Sequence, residues 1–187
     1  MVVGMWFAGG TLAQGGATVV KIEPSSQTVS PGDEFTVDIV VEPGVPIKTV
    51  QADLSFDPLL LEAKSIVEGN LLKQNGANTL FTTFGGIDNV AGTITGYVGA
   101  ILKTAGKPMT VSTPGTFARI TFVARMQGGV SQLQLSNVVG GDADNQAIPV
   151  SLNDADVEIA VVVEIGNVAL KACQGSVDIW VRGVPDD

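Results

Sequence analysis

The 187-residue chain contains no histidine and only one cysteine, Cys173. Without histidine it has no imidazole general base, no Ser-His-Asp or Cys-His nucleophile and no imidazole metal ligand. A single cysteine forms neither an intrachain disulfide nor a multi-thiolate zinc site. Cys173 lies in a tail flanked by apolar residues and is predicted to be unreactive. These absences predict that the chain is not an enzyme.

Basic and aromatic residues are also scarce. The chain has 10 Lys and Arg against 19 Asp and Glu, for a net charge of −9. This balance excludes a typical nucleic-acid binder, whose affinity comes largely from cationic contacts to phosphates. Aromatic residues make up 5% of the chain, few for a module that stacks sugars on exposed rings. The apolar fraction of 45% nevertheless excludes a disordered acidic chain.

The longest apolar run, Val2 to Leu12, is too short to span a bilayer. Small residues follow it, and Ala13 and Gly15 are spaced as in a signal-peptide cleavage site. We interpret residues 1–17 as a signal-peptide remnant, the alternative being a flexible extension. Residues 18–163 form the predicted domain, and 164–187 are either a C-terminal extension or the start of another module. We therefore expect a secreted or cell-surface protein.

Apolar residues alternate with polar ones along most of the chain after residue 18, which is typical of strands with one buried face. The clearest inward series are Phe35, Val37, Ile39, Val41; Val50, Ala52, Leu54, Phe56; and Ala118, Ile120, Phe122, Ala124. Further series are Leu133, Leu135; Val157, Ile159, Val161, Val163; and Ile94, Val98, Ala100, Leu102, the last interrupted by Gly96.

The runs are separated by turn residues such as Ser30-Pro31-Gly32-Asp33 and Asp57-Pro58. The pattern gives about nine strands, too many for one open sheet of this size and suited to two packed sheets. The sequence thus predicts an all-β, antiparallel sandwich.

Several motifs occur in one order along the chain. Val29-Ser30-Pro31-Gly32-Asp33-Glu34-Phe35 comes first, then Val50 to Pro58 with Leu61 and Glu62 behind it. Gly115 to Phe122 follows, and Asp142 to Val150 runs into Asp154 to Ile159. This order resembles that of a cohesin domain over residues 17–163, and it fits a cellulosome-type member as well as a non-cellulosomal or archaeal-like one.

The resemblance implies a nine-stranded jelly-roll sandwich that performs no catalysis. It implies that the chain binds a dockerin module and so anchors enzymes or other proteins to a scaffold or cell surface. It implies no cofactor on this chain, because the calcium belongs to the dockerin. Any link to polysaccharide would be indirect, through the partner.

In cohesins the dockerin docks on the outer face of one sheet, and segments 49–55, 81–84, 95–101 and 119–123 resemble its strands. Strand alternation then selects the outward side chains. The predicted partner-binding residues are Thr49, Gln51, Asp53, Phe81, Thr83, Thr95, Tyr97, Gly99, Ile101, Arg119, Thr121 and Val123.

Tyr97 would be the centre of this surface, with Ile101 and Val123 beside it and polar residues around them, as in an interface core and rim. The alternative is that Tyr97 merely covers the sheet. The family carries an Asn-x-Asp pair where this chain has Thr49 and Gln51. That departure argues against simple cross-reactivity with well-known cellulosome partners.

The acidic residues suggest two further kinds of site, a calcium loop and a glycosidase pair. Asp142, Asp144 and Asn145 could begin a calcium loop, but the Gly and closing Glu of an EF-hand are absent, which favours a polar hairpin. Carboxylate pairs such as Asp53 with Asp57, or Asp154 with Asp156, lack a cleft signature for glycoside chemistry. The alternative functions are a carbohydrate-binding module of related fold and a structural surface-layer or adhesin domain.

Overall fold

The computed structural model describes residues 16–102, 106 and 109–161. These residues form twelve strands and one turn of 3-10 helix, Gln74–Gly76. The strands are β1 Thr18–Glu23, β2 Ser26–Val29, β3 Glu34–Glu42, β4 Thr49–Ser55, β5 Leu61–Glu68, β6 Thr79–Asp88, β7 Thr93–Ile101, β8 Gly115–Ala124, β9 Gly129–Gly141, β10 Ala147–Ile148, β11 Val150–Asn153 and β12 Ala155–Ile159.

The strands form two sheets packed as a β-sandwich. A five-stranded sheet has the order β11-β1-β3-β8-β5, and a seven-stranded sheet has the order β2-β12-β9-β4-β7-β6 with β10 paired to β9. The all-β, two-sheet prediction is confirmed. The predicted count of nine is too low for the described residues, because β2, β10 and β11 are only two to four residues long and too short to show an alternation.

Two strand pairs are parallel, whereas the sequence predicted an antiparallel sandwich. β11 runs parallel to β1, and β12 runs parallel to β2. Parallel neighbours need a long connection instead of a tight hairpin. Here almost the whole domain is that connection, because the first two strands pair with the last two. Local turn signals carry no information about such a pairing.

The core lies between the sheets, where the alternating apolar series meet. The predicted inward positions of β3, β4, β8 and β9 are buried, apart from Phe35, which is half-buried against the core. The ring of Phe122 in β8 packs edge-on against the ring of Phe56, with centroids 5.2 Å apart. Phe56 directly follows β4 of the opposite sheet. Val161 is 55% exposed, contrary to its predicted place in the core, because β12 ends at Ile159.

The seven-stranded sheet is irregular at one level across β9, β4, β7 and β6. Ala52 pairs with Tyr97 but Leu54 pairs with Ile94, so β7 holds one residue more than β4 between these pairs. Similar shifts occur between β4 and β9 and between β6 and β7. Gly96 adopts φ +63° at this point, a conformation that favours glycine. Such a β-bulge reverses the facing of the residues beyond it.

Candidate functional site

Four predicted site residues lie together on one outer face. Thr49, Gln51 and Asp53 alternate with buried residues along β4, and Thr95 lies on the neighbouring strand β7. All four are half-buried on the outer side of the seven-stranded sheet. Their predicted orientation is confirmed.

The outward orientation predicted for Tyr97, Gly99 and Ile101 is wrong. Tyr97 is 0% exposed and Ile101 is 2% exposed, so both belong to the core. Gly99 is also buried, and a Cβ there would lie 2.7 Å from a ring carbon of Phe117. The absence of a side chain at Gly99 therefore makes room for Phe117 in the core.

The bulge at Gly96 is the cause of this error. Ile94, before the bulge, is buried as predicted. After the bulge the phase is reversed, so that Val98 and Ala100, predicted to be inward, are half-exposed on the outer face. Leu102 is 46% exposed, although it was placed in the same inward series.

The phase predicted for β6 is also wrong. Phe81 packs against the core, with its ring 5.7 Å from that of Phe117, and Thr83 pairs with the buried Tyr97. Two phenylalanines three residues apart on an edge strand cannot both face the core. Alternation alone does not decide between Phe81 and Phe84, and the structure turns Phe81 inward.

Arg119, Thr121 and Val123 face outward, but on the opposite side of the sandwich. They belong to β8, which pairs with β3 and β5 in the five-stranded sheet. Arg119 makes a bidentate ion pair there, with Nε 2.7 Å and Nη2 2.8 Å from the two carboxylate oxygens of Asp38. Alternation predicts which side of a strand faces out but not which sheet holds the strand. The predicted single surface is therefore divided between two faces.

A set of outward apolar residues replaces the incorrectly placed ones, and we call it the apolar patch. Its members are Leu80 and Phe84 of β6, Val98 and Ala100 of β7, and Val139 of β9. Phe84 is 79%, Leu80 51% and Val139 47% exposed. Ala100 pairs with Leu80, and Gln51 pairs with both Val98 and Val139, so the members lie on adjacent strands at neighbouring levels.

The sequence did carry a signal for this arrangement. Gly96 stands inside an otherwise regular alternation, and Gly85 and Gly86 interrupt β6 in the same way. A glycine inside a strand commonly marks a bulge. With one residue added at Gly96, the alternation along β7 would have placed Val98 and Ala100 outward.

The four strands β9, β4, β7 and β6 carry much less charge than the five-stranded sheet. In β4, β6, β7 and β9 the only charged residues are Asp53 and Asp88. The five-stranded sheet carries Lys21, Glu23, Glu34, Asp38, Glu42, Glu62, Lys64, Glu68 and Arg119. A solvated face is normally rich in charge, so these four nearly uncharged strands have the composition of a contact surface.

Asp53, the one charged residue on β4, β7 and β9, is bound to its own sheet. Its Oδ1 accepts a hydrogen bond from the backbone N–H of Gly96 at 2.6 Å. Its Oδ2 accepts one from Nδ2 of Asn137 at 2.7 Å, and Asn137 has φ +49° within the irregular stretch of β9. Asp53 thus holds the irregularities of both neighbouring strands in place.

Tyr97 links the two sheets. Its ring stacks on Phe117 of β8 with centroids 5.9 Å apart. Its buried hydroxyl finds no hydrogen-bond partner among the described residues. Burial, and secondarily the negative charge of Asp53, raises the pKa of Tyr97 above its ordinary value, so the hydroxyl stays neutral. Tyr97 is therefore a structural residue of the core.

The family comparison is decisive. The cohesin-domain family model matches residues 19–159. The chain belongs to the cohesin family. That match lies within the segment 18–163 that the sequence predicts as one domain. A comparison with curated protein sequences gives no match.

Solved cohesin structures resemble this one. A non-cellulosomal cohesin from the archaeon Archaeoglobus fulgidus is 16% identical with a TM-score of 0.59, over 78% of this chain and 93% of that one. The cohesin of an OlpA cohesin–dockerin complex from Clostridium thermocellum is 17% identical with a TM-score of 0.61, over 78% and 100%. The third ScaC cohesin of Acetivibrio cellulolyticus, in complex with the ScaB dockerin, is 20% identical with a TM-score of 0.59, over 77% and 99%. At these identities the likeness establishes the fold.

Three other aspartates singled out from the sequence bind backbone N–H groups. Asp142 lies in the β9–β10 hairpin loop, as predicted, and its Oδ1 accepts the backbone N–H groups of Asp144 and Gln146 at 2.9 and 2.8 Å. Asp57 and Asp154 likewise accept backbone N–H groups at 2.8 Å. Within the described ranges, no group of three or more His, Cys, Asp or Glu residues is arranged to hold a metal ion.

Two predicted segments fall largely outside the described residues. They are the signal remnant up to residue 15 and the C-terminal stretch from residue 162, which includes Cys173. In the part of the chain that the structure describes, no helix has the length and apolar character needed to cross a membrane.

Proposed function

We propose that this cohesin is a non-catalytic docking module that binds a dockerin through the outer face of β9, β4, β7 and β6. It would thereby anchor a dockerin-bearing protein to a scaffold or a cell surface. Family membership supports the type of partner, since several solved relatives are described as complexes with dockerins. The apolar patch supports the choice of face.

The observation that carries the choice of face is an exposed apolar surface on an almost uncharged half-sheet. Phe84, Leu80 and Val139 are each about half exposed or more, and Val98 lies between them. Monomeric proteins rarely leave such a surface uncovered unless it binds something. The opposite outer face carries ion pairs such as Arg119–Asp38 and Lys21–Glu42, which suit a face left in water.

The proposed partner-binding set keeps four predicted residues and replaces the others. It consists of Thr49, Gln51, Asp53 and Thr95, together with Leu80, Thr82, Phe84, Val98, Ala100 and Val139. Polar side chains on β4 therefore adjoin apolar ones on both sides. The surface lies on paired strands, so it is formed before the partner arrives.

Titration of the full chain against each dockerin module encoded in the same genome tests the proposal. Two matched variants test the face, because both replace a half-buried outward valine by a cation: Val98→Lys on the proposed face and Val123→Lys on the opposite one. We expect Val98→Lys to lose binding and Val123→Lys to retain it, with equal melting temperatures. Absence of binding by every dockerin at micromolar concentration would contradict the function, and the reverse pattern would contradict the face.

Carbohydrate binding has less support. Modules of that kind usually present several aromatic rings to the sugar. Within the described ranges, Phe84 is the one aromatic among the exposed large apolar residues. Retention of the chain on insoluble polysaccharide without any partner would favour the carbohydrate-binding alternative.

Three finer predictions belong to the same proposal. The jelly-roll winding is the topology that the resemblance implies for these sheets. Calcium is expected on the dockerin and not on this chain. Secretion or display at the cell surface is expected from the apolar segment before residue 18 and from the extracellular setting of scaffold proteins.

A further inference from the structure

The chemistry of the apolar patch limits what its partner can be, on the basis of the docking function proposed above. We infer that the contacting face of the dockerin is apolar and uncharged, and that Phe84 is the anchor that inserts into it. The inference rests on the exposure of Phe84, on the bonds of Asp53 and on the scarcity of charge on the four strands, where Asp88 at the end of β6 is the one other charged residue.

Phe84 is the most exposed member of the apolar patch, at 79%. Inward-facing rings of this cohesin, such as Phe81, pack against the core instead. Removal of apolar surface from water contributes roughly 25 cal/mol per Å², so covering this ring is worth more than covering any other residue of the patch. Aromatic side chains that fill a partner's pocket commonly dominate the binding energy of an interface.

The irregular stretch of the sheet holds Phe84 in this position. On β7, Gly96 lies directly beside it, and a Cβ at Gly96 would lie 3.2 Å from the Cβ of Phe84. Gly85 and Gly86 follow Phe84, and a Cβ at Gly86 would meet nothing within 4 Å. The chain at Phe84 is therefore close to β7 and has open space next to Gly86 on its own strand. Because Phe84 belongs to a paired strand, its backbone is in place before a partner binds.

Asp53 offers a partner little charge. Each of its oxygens already accepts one hydrogen bond, from Gly96 or from Asn137, and the side chain is half-buried. The other charged residue of these four strands is Asp88 at the end of β6, whose carboxylate accepts the N–H groups of its own turn. A cationic partner face would find only these two hydrogen-bonded carboxylates, and an anionic one would be repelled by both. Recognition must then depend on apolar contact and neutral hydrogen bonds from Thr49, Gln51 and Thr95.

A second copy of this chain is the competing occupant, since β6 is the edge strand of its sheet among the described residues. The net charge of −9 opposes self-association, because two copies repel each other. The absence of charge in the patch does nothing to offset that repulsion. A dockerin with an apolar face is therefore the occupant that the charges favour.

The test uses the full chain and whichever same-genome dockerin binds it, titrated by calorimetry at about 0.05 M and about 0.5 M NaCl, a range that shortens the Debye length roughly threefold. We expect Kd to change less than about twofold with salt. We expect Phe84→Ala to weaken binding by about tenfold or more with an unchanged melting temperature. Met126→Ala is the control, because Met126 is equally exposed at 82% but lies in the loop after β8.

The outcomes separate the inference from the function on which it rests. Failure of the unmodified chain to bind any dockerin overturns the docking function and the inference together. Binding that weakens steeply with salt, or that survives Phe84→Ala, overturns the inference alone. Sedimentation of the free chain as a dimer that Phe84→Ala converts to a monomer would assign the patch to a second copy and also overturn it.

Discussion

The carboxylate of Asp53 accepts a 2.6 Å hydrogen bond from the backbone N–H of Gly96, across the β4–β7 pair at the point where its register shifts. This bond links an outward side chain of β4 to the backbone of the bulge in β7. It fixes the bulge that turns Tyr97 into the core and leaves Val98 outside. Four predictions test the parts of this arrangement.

Replacement of Asp53 tests whether it braces the sheet. Asp53→Ala removes the acceptors used by Gly96 and Asn137, and we expect a loss of about 2 kcal/mol in the free energy of unfolding. Asp156→Ala is the control, since Asp156 is an exposed aspartate on the same sheet in β12. Urea denaturation measures both. Equal effects of the two substitutions would show that Asp53 has no bracing role.

Replacement of Gly96 tests the need for a glycine in the bulge. Gly96→Ala forces a Cβ into φ +63° and to within 3.2 Å of the Cβ of Phe84. Gly86→Ala suffers only the first effect, at φ +76° with nothing within 4 Å. We expect both to lower the free energy of unfolding by about 1 kcal/mol or more, and Gly96→Ala to cost the more. Chemical denaturation measures both variants. A larger loss of stability for Gly86→Ala would show that the short distance to Phe84 does not destabilise Gly96→Ala.

Removal of the Tyr97 hydroxyl tests the environment of that group. At pH 7 we expect Tyr97→Phe to be neutral or to stabilise by about 1 kcal/mol, because the buried hydroxyl has no partner among the described residues. In the unfolded chain a tyrosine ionises near pH 10, whereas burial raises the pKa of Tyr97 in the folded state. The unfolded chain therefore releases a proton that the folded chain keeps, and stability falls as pH rises above about 10.

The difference in stability between Tyr97→Phe and the unmodified chain should accordingly widen above pH 10. Denaturant melts at pH 7 and in the alkaline range measure it. Tyr97 is the single tyrosine of the chain, so tyrosinate absorbance reports on it alone and should appear only on unfolding. Tyrosinate absorbance in the folded protein near pH 10 would disprove the buried environment.

Replacement of a buried and of an exposed phenylalanine tests the division between the core and the apolar patch. Phe117 stacks on Tyr97 and meets Phe81 edge-on, so it joins the two sheets. We expect Phe117→Ala to cost about 3–5 kcal/mol and Phe84→Ala, at an exposed site, to stay within about 0.5 kcal/mol of the unmodified chain. Thermal and urea melts of both variants measure this. A cost at Phe84 approaching that at Phe117 would place Phe84 in the core.

The sequence predicted the sandwich correctly because β3, β4 and the part of β8 from Ala118 onward alternate without interruption. The same rule failed along β7, since one added residue at Gly96 reversed the facing of Tyr97 and of the residues after it. It also failed for Arg119, because alternation within β8 contains no information about the strands beside it. Sheet membership depends on partners distant in the chain, and only the assembled fold shows them.

The pairing of the first strands with the last has a consequence for biosynthesis. Thr28 of β2 and Glu158 of β12 share a hydrogen bond although 130 residues separate them. During translation β2 and β9 must therefore wait for β12, which lies between them, and β1 waits for β11. Non-local pairing of this kind slows folding and leaves strand edges open meanwhile. A chain truncated before residue 150 would lack β11 and β12, so that neither sheet could be completed.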